Sequence, residues 1–413
     1  MTKIPRIAAL VDLPRDVTAG GHVKYWERLA QACVKDDAPV DLTVYFSGSK
    51  DDELLSPHVR FRYLPPVFST ARLKFLPYVP AHTDLAPYHP QLAKELLHYD
   101  VLHSSDAYFA FARTAERVSL KNEIPLVTSF HTDTPAYAEL FTNQTLQSLL
   151  GRKGGNTLDR VFNISSRERL KKQSRLKKHL KRCSAILAMR PEDRAFAEDV
   201  TDATKIFPMR LGVNKDLLKP REDARTMIEQ SCDVPKGRFV ALFVGRVDAG
   251  KNVPLLLEAC KEAIQQGANL HLIVVGLGPL VQDVKKILGD NATTTGLLSP
   301  ADLAMLYAGS DCLCMASDIE IGGLVGVEAL SCGCPVFVSK SSGVASLYGA
   351  SEAIRDVTSD VSSWTNALVS IVHNRAQLAR MKQAALVYRQ KKIAGWSDVL
   401  REDFLPVWQK VVQ

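Results

Sequence analysis

Short apolar runs alternate with longer amphipathic ones along most of this chain. Ile7 to Val11, Val40 to Phe46, Val101 to His103 and Ile124 to Phe130 are short, apolar and rich in β-branched or aromatic residues. Such runs predict buried strands. His22 to Val34 carries helical spacing, and a loop with Gly20-Gly21 precedes it. Ala138 to Leu180 reads as mostly helical and polar, and Ala185 to Ala188 returns to strand character. Pro65 to Pro90 is rich in Pro and aromatics with weak periodicity, which predicts long loops and short helices at the edge of a cleft. Phe207 to Pro220 has Pro near both ends and a central Gly, the signature of a loop or linker.

A second alternating unit follows. Phe239 to Val244 and Leu270 to Val275 read as buried strands, with the turn Gly245 to Asn252 and an amphipathic helix, Val253 to Gln265, between them. Gly276-Leu277-Gly278-Pro279 opens another helix, Thr293 to Gly296 is a short strand, and Pro300 to Ala308 is helical. Cys312 to Ala316 and Val336 to Val338 read as strands flanking a loop and a helix that starts near Gly323. The tail, Val361 to Gln413, is helical with a break near Ala394-Gly395-Trp396. Strands alternating with helices imply parallel pairing and right-handed crossovers. The expected architecture is therefore α/β, two Rossmann-like domains facing a central cleft. The domains are placed at 1–205 and 206–395, with 396–413 packing back onto the first.

Composition narrows this picture. At 413 residues the chain exceeds one ordinary core, so two domains are the prior. Hydrophobic residues at 46% and charged ones at 23% match an average soluble protein. No apolar run approaches the roughly 20 residues that span a bilayer, and the start lacks a signal peptide's long apolar region. A cytoplasmic protein is expected, with a peripheral place on the inner membrane face as a further option. Cys312/Cys314 and Cys332/Cys334 are separated by one residue each, too close for a zinc knuckle, so the eight cysteines should be reduced thiols.

The candidate chemistry gathers around Ser317 to Leu330. Glu320 sits in a loop at the carboxyl end of a predicted parallel strand, where open α/β sheets bind ligands. Gly322, Gly323 and Leu324 lie at a helix start, whose free N–H groups and dipole favour phosphate. Glu328 follows within the helix. Phosphate on the amides and hydroxyls on the carboxylates would suit a sugar nucleotide. Arg246 and Lys251 flank a turn after another strand. Without a metal, such cations must stabilise a nucleoside diphosphate leaving group. The alternative is a pair of solvated loop cations. Gly20-Gly21 lets a backbone approach a diphosphate closely; the alternative is a flexible turn. Neither glycine pair completes G-x-G-x-x-G, which leaves a nicotinamide site poorly supported. No metal site, no Ser/His/Asp elbow and no nucleic-acid motif are apparent.

Gly20-Gly21, Gly245-Arg246 with Lys251, Gly276-x-Gly278-Pro279, and Glu320-x7-Glu328 before Ala329-Leu330-Ser331-Cys332-Gly333-Cys334-Pro335-Val336 occur in that order. Together they resemble the retaining family-4 glycosyltransferases of GT-B fold. The resemblance is good from about Phe207 to Val344 and looser before it. It implies a nucleotide-diphosphate sugar donor held by the C-terminal domain and an acceptor held by the N-terminal one. It implies no cofactor and no metal. UDP is favoured as the nucleotide. The resemblance casts Gly20, Gly21, Gly245, Gly276, Gly322, Gly323, Leu324 and Glu328 as donor-binding, with Glu328 on the ribose. It casts Arg246, Lys251, Glu320 and His131 as catalytic, the last two meeting the sugar. Ile321-Gly322 departs from the family's usual Gly-Phe. A sugar-nucleotide epimerase and a silent nucleotide-sugar binder remain as alternatives.

The charge of +7 concentrates in Arg167 to Arg182, RERLKKQSRLKKHLKR. Leu176, Leu180 and Cys183 fall on one helical face ringed by cations. This reads as a solvated helix face or as an anionic-membrane surface. Under the second reading Arg175, Lys177, Lys178, Lys181 and Arg182 meet a lipid or lipid-linked saccharide acceptor.

Overall fold

The computed structural model describes residues 4–16, 19–70 and 83–413. The chain divides into two units, one formed by Met1–Arg210 with Trp396–Gln413 and the other by Leu211–Gly395. The division thus follows Arg210 rather than residue 205.

In the first unit β1 is Arg6–Pro14, α1 Gly21–Lys35, β2 Asp41–Ser47, β3 Glu53–Ser56 and β4 Val59–Leu64. Then come α2 Pro90–Glu95, β5 Val101–Ser104, α3 Ala110–Asn122, β6 Leu126–Ser129, α4 Thr134–Phe162, α5 Ile164–Arg182, β7 Ala185–Ala188, α6 Pro191–Glu198 and β8 Ile206–Pro208. The sheet order is β3-β4-β2-β1-β5-β6-β7-β8. All neighbours pair in parallel except β3 with β4. Ile7 to Asp12 of β1 are all buried, as the middle of a parallel strand covered on both faces must be. The chain builds outward from β1 in one direction to β4 and in the other to β8. The β1/β5 junction is therefore a topological switch point.

In the second unit β9 is Gly212–Val213, α7 Ala224–Ser231, β10 Phe239–Val244, α8 Val253–Gln265, β11 Leu270–Val275, α9 Val281–Leu288 and β12 Ala292–Gly296. After these come α10 Pro300–Gly309, β13 Cys312–Met315, α11 Leu324–Ser331, β14 Val336–Ser339, α12 Gly343–Tyr348, β15 Ile354–Val357, α13 Val361–Val372, α14 Arg375–Lys392 and β16 Ala394–Gly395. The main sheet runs β12-β11-β10-β13-β14-β15, all parallel. Its switch point is the β10/β13 junction. Phe239, Leu272, Cys312, Phe337, Trp364 and Leu368 belong to its core. α15 Trp396–Val399 and α16 Leu405–Val412, joined by a π-helical turn, return to the first unit.

Two differences from the sequence pattern have simple causes. β4 is masked in sequence because VRFRYL carries two arginines that pair with Asp41, Glu95 and Asp52, and β3 is a short edge strand with no buried residue. Phe207 to Pro220 is not wholly loop, since it holds the end of β8 and all of β9; a two-residue strand has no periodicity to read. Part of Pro65 to Pro90 lies outside the described residues. Asp84 within it accepts N–H bonds from Val67, Phe68 and Ala86. All eight cysteines are free and buried, as expected of reduced thiols.

Candidate functional site

The second unit brings four of the sequence-selected side chains to its switch point. β10 ends at Val244, and the chain turns through Gly245, whose φ is 152°. Gly276 follows β11 with φ 136°, and a Cβ there would lie 1.9 Å from the Gly245 carbonyl oxygen. A Cβ on Gly278 would lie 2.3 Å from the Val247 oxygen. These glycines are dictated by close backbone approach. The Asp248 carboxylate accepts the Lys251 N–H at 3.0 Å and fixes the short turn that presents Lys251. Arg246 is 58% exposed and meets Asp248 at 3.3 Å.

β13 lies beside β10, so its carboxyl end delivers Glu320 to the same place. Lys251 Nζ donates to Glu320 Oε2, and both side chains are 23% exposed. The sequence selected these two residues from separate motifs 69 positions apart; the fold makes them an ion pair. Ser317 Oγ donates to the Gly250 carbonyl at 3.2 Å. Asn252, in the left-handed region at φ 55°, donates from Nδ2 to the Ala316 carbonyl at 3.2 Å. Asp318 accepts from Ser339 at 2.5 Å and Ser359 at 2.8 Å. These residues lock the two loops together. Sequence reasoning passed over them because single Ser, Asn and Asp residues in loops carry no spacing signal.

α11 begins at Leu324, with Gly323 as its N-cap at φ 58°. Tyr348 Oη donates to the Gly323 carbonyl at 2.5 Å, and a Cβ on Gly326 would strike that same hydroxyl. The amides of Gly322 to Leu324 thus stand on a braced helix start beside Glu320. Glu328 is 4% exposed and accepts from Tyr307 Oη at 3.0 Å. It is more enclosed than a purely ligand-facing carboxylate, because Tyr307 is itself fully buried.

The first unit is a separate body and holds the remaining candidates. Gly20 caps α1 with φ −71°, and a Cβ there meets nothing within 4 Å, so neither backbone nor packing demands glycine. His131 follows β6, accepts or donates at Nε2 with Ser129 Oγ at 2.8 Å, and stacks on His22 at 4.6 Å with an interplanar angle of 4°. Burial depresses the pKa of His131 well below the usual histidine range and that of His22 to about 3. Both rings are neutral near pH 7. His22 directly follows Gly20-Gly21 as the second residue of α1, where sequence alone marks only the start of a helix. Its buried Nε2 has no partner among the described residues.

The basic helix needs correction. Leu180 and Cys183 belong to the core of the first unit and Leu176 packs against it, so that apolar face is covered by protein. The physical reason is ordinary amphipathicity: the stripe faces the sheet. Arg175 and Arg182 are drawn to Glu116, whose side chain is only 3% exposed; Arg175 Nη2 lies 2.6 Å from Oε2. His179 Nδ1 reaches the same carboxylate at 3.1 Å. Burial raises the Glu116 pKa, but His179 and Arg175 outweigh it and hold it at about 2. Burial lowers that of His179, but Cys183 and Glu116 outweigh it and carry it to about 9. Lys177, Lys178 and Lys181 remain on the exposed side, with Lys177 Nζ 5.3 Å from the Phe196 ring centre. Among the described residues no group of three or more His, Cys, Asp or Glu gathers as a metal cluster, and no helix is long and apolar enough to cross a membrane.

Comparison with known proteins follows this division closely. Residues 19–215 match the family described as Glycosyltransferase Family 4, and residues 225–387 match Glycosyl transferases group 1. The sulfoquinovosyl transferase of Arabidopsis thaliana is 24% identical over 259 residues, 62% of this chain and 46% of that one. The D-inositol 3-phosphate glycosyltransferase of Segniliparus rotundus is 32% identical over 152 residues, 35% and 33% of the two chains. The alpha-monoglucosyldiacylglycerol synthase of Streptococcus pneumoniae is 29% identical over 108 residues, 25% and 24%. The matches span less than half the length of each of these relatives. In fold, the sucrose-phosphate synthase of Thermosynechococcus elongatus superposes with a TM-score of 0.71 at 19% identity over 98% of this chain and 99% of that one. Anabaena HepE in complex with UDP and glucose superposes with a TM-score of 0.66 at 15% identity, over 96% and 98%.

Proposed function

This chain belongs to the family-4 glycosyltransferases of GT-B fold, and on that premise we propose that it moves a hexose from a nucleotide-diphosphate sugar, UDP-linked, to a lipid or lipid-linked saccharide with retention of anomeric configuration. The observation that carries this reading is the Lys251–Glu320 ion pair at the β10/β13 switch point, beside Arg246 and the α11 start. A retaining transfer breaks the bond from anomeric carbon to diphosphate and forms the bond to the acceptor oxygen on the same face. The acceptor proton passes to the departing phosphate oxygen. Charge then grows on the diphosphate, and in this reading Arg246, Lys251 and the α11 amides meet it without a metal. Glu328 offers a hydroxyl acceptor for the ribose, and Glu320 one for the sugar, its Oε2 held by Lys251. The family resemblance assigns Gly20 and Gly21 to the diphosphate and His131 to the sugar. No dedicated base is required, so the protein contributes positioning and electrostatics.

The uridine choice draws on the UDP-bound HepE, whose fold is similar. A thermal-shift panel of UDP, GDP, ADP and their sugars tests it. The preferred nucleotide at 100 times its dissociation constant should add about 2.7 kcal/mol of stability; equal shifts for all three would remove it.

The lipid acceptor draws on the similarity to an alpha-monoglucosyldiacylglycerol synthase and on the α4–α5 hairpin. Leu149, Leu150, Val161, Phe162 and Leu170 are all more than half exposed there. Leu150, Leu158, Val161 and Phe162 line a groove of about 560 Å³ with Lys153 on its edge. Arg152 and Arg160 are exposed beside it. Each cation near an anionic leaflet is worth about 1 kcal/mol, and the apolar groups add insertion that the covered face of α5 cannot. Anionic vesicles should therefore sediment the protein at low salt, and L150E/F162E should abolish this more completely than K177E/K178E. The reverse order would return the membrane surface to the basic helix, and no sedimentation would favour a soluble acceptor.

A further inference from the structure

We propose that Trp408, His103 and Ser129 form a hydrogen-bond relay that decides which nitrogen of His131 carries its proton, making them positioning residues for that imidazole. The inference rests on the reading of His131 as sugar-facing and goes one step deeper into the protein.

The relay has a fixed start. An indole N–H can only donate. Trp408 Nε1 lies 2.9 Å from His103 Nδ1, so that nitrogen must be the acceptor. A neutral imidazole carries one proton, which leaves it on His103 Nε2. That atom lies 3.0 Å from Ser129 Oγ and donates to it. The serine hydroxyl then has its own proton to place, and its remaining neighbour is His131 Nε2 at 2.8 Å. Ser129 therefore donates to His131, whose Nε2 is unprotonated. The His131 proton sits on Nδ1, which makes no hydrogen bond among the described residues. The imidazole offers a donor there, and a sugar oxygen is a matching acceptor.

The relay is kept dry and rigid. Trp408 and His103 are fully buried and Ser129 is 3% exposed. Phe404 lies over His103 with ring centres 5.7 Å apart, and Trp26 meets it edge-on at 4.9 Å. Tyr25 packs edge-on against His131 at 4.9 Å, and His22 covers its face. Burial drives the pKa of His103 down to about 3 and that of His131 well below its usual value, so both stay neutral and the one-proton count holds near pH 7. The geometry also gives the C-terminal segment a task beyond packing. α16 reaches back to the first unit and supplies the donor that sets the direction of every later link.

The test uses the full-length protein with ¹⁵N-labelled histidine and two-bond nitrogen–proton spectra, which report the tautomer of each ring. The wild type should show His103 protonated at Nε2 and His131 at Nδ1. W408F removes the first donor with little change of shape. It should let His103 move its proton to Nδ1 and shift His131 toward protonation at Nε2. S129A should release His131 from a single tautomer and lower kcat/KM for transfer about tenfold, the worth of one hydrogen bond; S129T should restore both. His131 protonated at Nε2 in the wild type, or spectra unmoved by W408F and S129A, would overturn the relay. Normal transfer by H131A would instead remove the sugar-facing reading, while the spectra would still decide the relay itself.

Discussion

Replacing Lys251 by Met separates a working ion pair from an ornamental one. In the folded protein Lys251 Nζ reaches Glu320 Oε2 with both side chains 23% exposed. A pair that wet contributes at most about 1 kcal/mol to stability. If that were its whole purpose, K251M and E320Q would each lower stability slightly, and the double variant would differ little from either. Turnover would be untouched in all three. The proposed role gives a different scale. A preorganised cation at a developing oxyanion is worth about 2.7–4 kcal/mol of barrier, 10²–10³ in kcat. K251M should therefore lose at least about a hundredfold in kcat while its unfolding free energy moves by less than about 1 kcal/mol. E320Q should lose turnover as well, by weakening contact with the sugar. The double variant should be worse than either single one, since the two groups would act on different parts of the donor. The assay is initial-rate release of nucleoside diphosphate at saturating donor and acceptor, with urea unfolding on the same samples. Single variants within threefold of wild type, or a double variant that regains activity, would refute the argument.

Other consequences follow from the same contacts. Glu116→Gln should destabilise the first unit by about 3–5 kcal/mol, because it leaves Arg175, His179 and Arg182 around an uncharged group. The pH dependence has a defined sign. His179 sits near 9, above its ordinary 6.5, so its contribution is complete below 6.5 and fades as pH rises through 9. Glu116 sits near 2, below its ordinary 4.5, so its contribution is complete above 4.5 and fades as pH falls through 2. Thermal unfolding across pH should show both limbs in the wild type and neither in E116Q. Gly276→Ala puts a Cβ 1.9 Å from the Gly245 oxygen at a φ of 136°, adding about 1–3 kcal/mol of backbone strain to the clash. It should lower both stability and nucleotide-induced thermal shift. Gly20→Ala meets open space, so its stability should fall by no more than about 1 kcal/mol, and a weakened donor response would then report contact with the ligand itself.

The parallel sheets were legible because their strands are buried on both faces and read as apolar runs: β1, β10 and β11 lie where the pattern put them. The edge was not, since Arg60 and Arg62 break the run in β4 with side chains that find acidic partners only in three dimensions. Glu320 and Lys251 were legible as residue types near strand ends, but their pairing depends on β13 lying next to β10, which local sequence does not reveal. The basic helix misled for a related reason. Its cations are visible in sequence, whereas the buried Glu116 that takes two of them sits on α3, far away along the chain. The relay was equally hidden. Trp408 and His103 are 305 residues apart, and nothing in either neighbourhood marks them as partners.

The central claim is retaining transfer from a nucleotide sugar. Its most direct test is to supply the full-length protein with anomerically labelled UDP-hexose and a diacylglycerol acceptor in anionic vesicles, and to read the product's anomeric centre by NMR. Equal amounts of UDP and a glycolipid with the donor's own anomeric configuration are predicted. A product of inverted configuration, or UDP appearing with an isomerised free sugar and no need for an acceptor, would contradict the account.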